Sequence, residues 1–282
     1  MALVTSKQML LDAQSGGYAV GAFNVENMEM VKGVIWAAEE LKAPVMLQTT
    51  PSTVKYGTIE TYAALVSAEA QQAAIPVALH LDHGNSFELA VKALKAGYTS
   101  IMIDGSALNF EENIKISEDV ARLAHIYRVP VEAELGKVGG KEDDLEAEAD
   151  QNTDPEEAKE FAARTGVDSL AIGIGTAHGF YEGDPVLDIK RVSDIRERVS
   201  IPLVLHGASG LSDRDVKECI KRGICKVNFA TELRAAYTDA IKALLAENPN
   251  VIDPKKLGEA GIKAVKEIVM RRILVCGCDG KI

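Results

Sequence analysis

No apolar run in the chain approaches the roughly 20 residues needed to cross a bilayer, so a helical membrane span is excluded. Cysteine is scarce. Four residues (Cys219, Cys225, Cys276 and Cys278) among 282 are too few for a disulfide scaffold and fit reduced thiols. Cys276 and Cys278 could form half a metal site, but no second Cys or His pair lies near them in the sequence. Positive charge is in deficit, with 31 Lys and Arg against 42 Asp and Glu and a formal charge of -11. That balance argues against nucleic acid or an anionic membrane as the main partner. The N-terminal stretch lacks the basic and apolar regions of a signal peptide, which makes a cytoplasmic location the expectation. A hydrophobic content of 47% with 26% charged residues suffices for a buried core, and no break in composition divides the chain, so one domain over 1–282 is expected.

Short apolar runs alternate with amphipathic segments. The runs are Tyr18–Val25, Pro44–Thr49, Pro76–His83, Ser100–Asp104, Pro130–Gly136, Ser169–Gly175, Pro202–His206 and Lys226–Asn228. Several are too continuously apolar to have a wet face, as parallel strands covered on both sides are. Helical spacing appears in Glu29–Leu41, Phe87–Ala96, Glu111–Tyr127, a segment opening at Asp154-Pro155, Asp188–Val199, Ser212–Arg222 and Glu232–Ala246. This arithmetic predicts a (β/α)8 TIM barrel, with a doubly wound open sheet as the competitor. A C-terminal helical segment, Lys255–Val275, exceeds the eight units and is expected to pack on the barrel or a neighbouring subunit. Lys137–Asp154 is acidic and opens on a glycine pair. It reads as a solvated loop or as a mobile loop over the catalytic face.

In a barrel, side chains at the C-terminal strand ends face the active site. His83, His178 and His206 fall at three such ends, and three imidazoles on one rim can hold Zn2+ with positions left open for substrate. His80, three residues before His83, is expected on the opposite side of its strand, buried or behind a ligand, and His125 on a helix surface. Asp82 sits among apolar strand neighbours, so its carboxylate needs a reason: acid/base chemistry beside a metal, or orientation of a histidine. Glu134 is a possible further ligand, and Asp104 invites the same two readings as Asp82. The loops after the last two strands, Gly207-Ala208-Ser209-Gly210 and Asn228-Phe229-Ala230-Thr231, suit an oxyanion such as phosphate. Together these features point to a metal-dependent enzyme acting on a phosphorylated carbonyl compound.

These ordered motifs resemble the class II, zinc-dependent ketose-bisphosphate aldolases over essentially the whole chain. The resemblance runs from Tyr18–Asn24 through His80–His83, Val131–Gly136, Gly139–Asp144 and Gly175–Gly179 to Leu205–Gly210 and Lys226–Thr231. It implies that His83, His178 and His206 hold Zn2+ with Glu134 nearby, and that Asp82 is the acid/base on the C4 oxygen. It implies that Glu142, on the glycine-pair loop, exchanges the C3 proton. Gly179, Gly207, Ala208, Ser209, Asn228, Phe229, Ala230 and Thr231, with Asn24 and Thr50, would bind the dihydroxyacetone phosphate portion beside a monovalent cation (Na+ or K+). The implied partners are a phosphorylated ketose and further copies in a homodimer or homotetramer, with a stabilising second subunit possible.

The glycine-rich loop, Asn228–Thr231 and Gly223–Lys226 look more like the branch acting on tagatose 1,6-bisphosphate. Ala230 and Glu182 stand where fructose enzymes commonly carry other residues, whereas His80–Gly84 with Ser86–Glu88 looks fructose-like. Arg234, Lys255 and Lys256 are the candidate cations for a distal phosphate, and an aldolase releasing a different aldehyde stays open. A barrel hydrolase would want a His-x-His pair on the first strand, which here reads Phe23-Asn24-Val25. A non-catalytic aldolase-like subunit would be expected to have lost Asp82 or a zinc histidine.

Overall fold

The computed structural model describes residues 3–142, 145–147, 151–181 and 183–282, with the side chains of 141, 142 and 145–147 outside the description. In chain order the elements are α1 (Ser6–Gly16), β1 (Val20–Asn24), α2 (Met28–Glu40), β2 (Val45–Thr49), α3 (Pro51–Gly57), α4 (Ile59–Gln72), β3 (Val77–Gly84), α5 (Phe87–Ala96), β4 (Ser100–Ile103) and α6 (Phe110–Ile126). They continue with β5 (Val131–Leu135), β6 (Gly139–Glu142), β7 (Leu145–Ala147), α7 (Pro155–Thr165), β8 (Ser169–Ile172), β9 (Ala177–His178), α8 (Ile189–Arg196), β10 (Leu203–Leu205), α9 (Asp213–Lys221), β11 (Ile224–Phe229), α10 (Thr231–Glu247) and α11 (Pro254–Cys276).

Parallel strands close into a barrel in the order β1-β11-β10-β8-β5-β4-β3-β2. The (β/α)8 barrel expected from the alternating runs is therefore present, and each of the eight runs contributes a barrel strand. Their residues are buried along the full length of every barrel strand, because helices cover the outer face and packed side chains fill the inside. The helices start where local chemistry dictates. Asn27, Thr50, Ser86, Asn109, Asp154, Ser212 and Asp253 each accept a hydrogen bond from a backbone N–H of the following first turn. The C-terminal segment forms α11, which buries Val265, Val269 and Ile273 and packs against α2 and α10.

Three features go beyond the sequence reading. α1 lies across the N-terminal end of the barrel, where Ser6 Oγ is 2.8 Å from Ser100 Oγ and Lys7 pairs with Asp168 at 2.9 Å. α3 and α4 occupy the connection after β2. The acidic segment after β5 folds into a small sheet in which β6 pairs antiparallel with β7 and parallel with β9. That sheet couples the glycine pair to a site residue. Gly140 is paired with His178 at φ 84°, and a Cβ on it would lie 2.3 Å from the His178 carbonyl oxygen.

The strand geometry corrects one expectation. Period 2 places His80 and Asp82 on the same inward face of β3, and would send His83 outward. Instead the β3–β4 register slips between Leu81 and Gly84, so that Leu81 pairs with Ile101 but Gly84 with Ile103. His83 takes φ 49° in this bulge, and its ring turns onto the same rim as Asp82. His80 and His83 thus both serve the interior, at different depths. His125 lies far from that rim, 2.8 Å from Asp168 beside the start of β5.

Candidate active site

Two barrel-strand ends and one short strand bring the rim histidines together. His83 comes from the β3 bulge, His178 from β9 and His206 from the residue after β10. One nitrogen of each lies within 4.8 Å of the others. The ring centroids of His83 and His206 are 4.7 Å apart, and those of His83 and His178 5.1 Å.

The rings of His83 and His206 are each held from behind by a carboxylate. His83 Nδ1 lies 2.7 Å from Asp104 Oδ2, and His206 Nε2 lies 3.0 Å from Glu132 Oε1. With those nitrogens donating, the lone pairs fall on His83 Nε2 and His206 Nδ1, which face each other at 3.0 Å. Two facing lone pairs repel unless a proton or a metal cation lies between them. Glu134 Oε2 is buried and stands 3.3 Å from His206 Nδ1. The donor set therefore fits a divalent cation.

Without a metal ion, a proton on His206 takes that place. Burial opposes the charged form of His206, yet its hydrogen bonds to Glu132 and Glu134 outweigh this and push it up to about 9. Burial likewise opposes ionisation of Asp104, but His83 and the Ser106 N–H hold its carboxyl well below the usual range. Glu132 is buried too, and there Lys226 and His206 prevail and keep it ionised.

Asp82 is fully buried next to His83, where a carboxylate is tolerable only if it is hydrogen-bonded. Three amides supply the bonds. Asn24 Nδ2 donates to Oδ2 at 3.0 Å, Gln48 Nε2 to Oδ2 at 3.1 Å, and Asn228 Nδ2 to Oδ1 at 3.0 Å. The Gln48 amide also reaches Asn24 Oδ1 at 2.8 Å, so β1, β2, β3 and β11 converge on one carboxylate.

Beside this cluster lies a small pocket lined by His178, Gly179, Gly207, Ala208, Ser209, Asn228, Ala230 and Thr231. It opens at the N-terminus of α10, where Ala230 provides no side-chain cap and leaves first-turn N–H groups for an anion. Gly207 has φ 66°, and a Cβ there would approach the Ala177 carbonyl oxygen to 2.7 Å. Tyr181 stitches the two loops: its hydroxyl donates to the Gly207 carbonyl at 2.6 Å and accepts from the Ala177 N–H at 2.9 Å.

A family model for class II fructose-bisphosphate aldolase matches residues 4–281. The chain belongs to this family. It is similar to the YdjI aldolase from Escherichia coli K12, at 40% identity over 99% of both chains with a TM-score of 0.87. The fructose-bisphosphate aldolase (Fba) from Campylobacter jejuni shares the fold at 21% identity, covering 100% of this chain and 97% of that one with a TM-score of 0.87.

For this class II aldolase the sequence-derived residues divide by location. His83, His178, His206 and Asp82 converge, with Asn24 and Asn228 on Asp82 rather than in open space. Glu134 joins His83 and Asp104 in a second close group instead of forming one set with all three histidines. Gly179, Gly207, Ala208, Ser209, Asn228, Ala230 and Thr231 line the pocket. Phe229 lies between them in sequence, but its ring is buried and stacks on Phe23 at 5.6 Å, so only its backbone is near the pocket. Thr50 caps α3 at the end of β2 and is not among the lining residues. Glu142 ends β6, while its side chain, and the whole of Glu182, lie outside the described residues. Gln48, Glu132 and Tyr181 went unassigned in the sequence. The signal for the first two was the one that marked Asp82, a polar residue within an apolar strand.

Proposed function

We propose that the chain is a metal-dependent aldolase cleaving D-tagatose 1,6-bisphosphate reversibly to dihydroxyacetone phosphate and D-glyceraldehyde 3-phosphate. The observation that carries the dihydroxyacetone phosphate end is the convergence of three histidines and Asp82 beside an anion-fitting pocket at a helix N-terminus. Cleavage of C3–C4 leaves an electron pair on C3 that spreads onto the C2 oxygen. Zn2+ held by His83, His178 and His206, with Glu134 close by, would supply Lewis-acid stabilisation of that charge. Asp82 takes the C4 hydroxyl proton during cleavage and returns it during condensation, while Asn24, Gln48 and Asn228 hold its carboxylate in place. Glu142 is assigned the C3 proton on the sequence resemblance.

Gly179, Gly207, Ala208, Ser209 and the backbone from Asn228 to Thr231 bind the C1 phosphate, with Na+ or K+ assigned as an accompanying ion on the sequence resemblance. Asn24 acts through Asp82, and Thr50 remains a rim candidate for substrate contact. The enzyme works in the cytoplasm as a homodimer or homotetramer.

The choice of tagatose rests on the sequence of the two phosphate loops. A different aldehyde is the second reading, and ion pairing favours it. Arg234 is bound by Glu26 at 2.7 Å and Lys255 by Asp253 at 2.9 Å, so two of the three cations named for a distal phosphate already have carboxylate partners. The test compares kcat/KM for tagatose 1,6-bisphosphate, fructose 1,6-bisphosphate and tagatose 1-phosphate. A preference of about tenfold or more for the first is expected, worth about 1.4 kcal/mol in transition-state binding. Equal or higher efficiency with the monophosphate transfers the proposal to a substrate without a distal phosphate. No dihydroxyacetone phosphate from any of the three contradicts it.

The Tyr181 bridge gives a further expectation. Tyr181→Phe removes both hydroxyl bonds that join the Ala177 and Gly207 loops. KM for the phosphorylated substrate should rise about five- to 150-fold, as expected for two hydrogen bonds of about 0.5–1.5 kcal/mol each, with a much smaller change in kcat. Steady-state kinetics check it, and an unchanged KM would detach Tyr181 from phosphate binding.

A further inference from the structure

Beneath the histidine cluster the barrel encloses charged side chains that the proposed chemistry does not use. Lys226, on β11, is fully buried, with Nζ 2.9 Å from Glu132 Oε2 and 3.1 Å from Glu132 Oε1. Its Nζ also lies 3.5 Å from His80 Nε2, and His80 Nδ1 is 2.7 Å from Ser100 Oγ. Ser100 in turn meets Ser6 of α1. A continuous polar column thus rises from the closed end of the barrel to Glu132, and from Glu132 to His206 Nε2 at 3.0 Å.

Such a column is costly. Barrel interiors are normally filled by branched apolar side chains, and replacing a buried ion pair by apolar residues of similar volume is often neutral or stabilising. The pair therefore needs a reason other than stability. Lys226 contacts both oxygens of Glu132, which prevents the carboxylate from rotating. The oxygen facing His206, Oε1, shared with Lys226, then meets only Nε2 of that ring, and the His206 lone pair is confined to Nδ1, on the side of His83 Nε2 and Glu134. Asp104 does the corresponding work behind His83. It stands at the rim, where the Ser106 N–H anchors it at 3.0 Å, whereas Glu132 lies too deep for such a backbone anchor and is held by Lys226 instead.

We propose that Glu132, clamped by the buried Lys226, is the positioning residue that fixes the ring orientation and tautomer of His206 for binding a divalent cation. This rests on the metal-centre reading above, but concerns cation affinity and not the choice of sugar.

The test uses the intact protein. Zinc affinity is measured by competition with a chromophoric chelator, together with the absorption spectrum of the Co2+-loaded protein. Two double variants, E132Q/K226M and E132L/K226M, both remove the buried charges at similar volume. Only the first leaves an acceptor for the His206 Nε2–H. E132Q/K226M should bind zinc within about fivefold of the parent, and E132L/K226M about 10- to 100-fold more weakly, with an altered Co2+ spectrum. Equal affinities and spectra in the two variants overturn the proposal. Should E132L/K226M fail to fold, E132Q/K226M decides alone: affinity within about fivefold of the parent supports the proposal, and a larger loss overturns it. A parent protein that binds no zinc overturns the metal centre itself, and is recognised as such because it precedes any substitution.

Discussion

Exhaustive chelation should abolish retro-aldol cleavage, and stoichiometric Zn2+ should restore it. A Lewis acid at a developing oxyanion contributes several kcal/mol, and a loss of about 4 kcal/mol is close to a thousandfold in rate. The loss should arise without unfolding. The barrel core, from Phe23 and Leu47 through Leu79 and Ile101 to Phe229, is buried independently of the histidine rim. Circular dichroism should therefore hardly change on chelation, while the melting temperature rises with added Zn2+ because the ion binds the folded state. Full turnover after verified removal of metal would contradict this assignment. Cleavage would then need another means of stabilising charge on the C2 oxygen. Lys226, buried beneath the site, is locked onto Glu132 inside the barrel and cannot supply it as a free amine.

Asp82→Ala should lower kcat by about 10²- to 10⁴-fold, the usual worth of a positioned general acid/base, while zinc affinity changes little. The separation follows from the contacts. The bonds of Asp82 run to Asn24, Gln48 and Asn228, whereas the carboxylates behind His83 and His206 are Asp104 and Glu132. Asp82→Asn is the sharper variant, because it keeps the side-chain shape but replaces a carboxylate by an amide among three amide donors. It should lose activity at least as severely. Parallel measurements of kcat and of zinc binding check both variants. Unchanged turnover would remove Asp82 from the reaction, and a collapse of zinc binding would make it a structural support of the metal centre.

Most of the architecture was legible because parallel barrel strands are buried on both faces, so each leaves a short apolar run such as Val45–Thr49 or Ser169–Ile172. The rim histidines were legible for a related reason, since strand ends can be located even when strand partners cannot. What stayed hidden depends on register and on non-local pairing. The turn of His83 onto the rim follows from a slip against β4, which no local pattern encodes. The β6–β7–β9 sheet pairs Gly140 with His178, 38 positions away, through a charged segment without alternation. α3 and α4 did carry local signals, the Thr50-Pro51 start and the Thr58 cap, that hydrophobic periodicity alone passes over. Gln48 and Glu132 were overlooked because attention to strand ends leaves deeper inward positions unexamined, and those positions here hold the supports of Asp82 and His206.

The most direct measurement is X-ray diffraction from crystals of the zinc-loaded protein, with anomalous data collected on both sides of the zinc absorption edge. A single strong anomalous peak bonded to nitrogen atoms of His83, His178 and His206 is the expected result. A peak elsewhere, or none at these three rings in fully loaded and active crystals, would contradict the metal centre and the chemistry assigned to it.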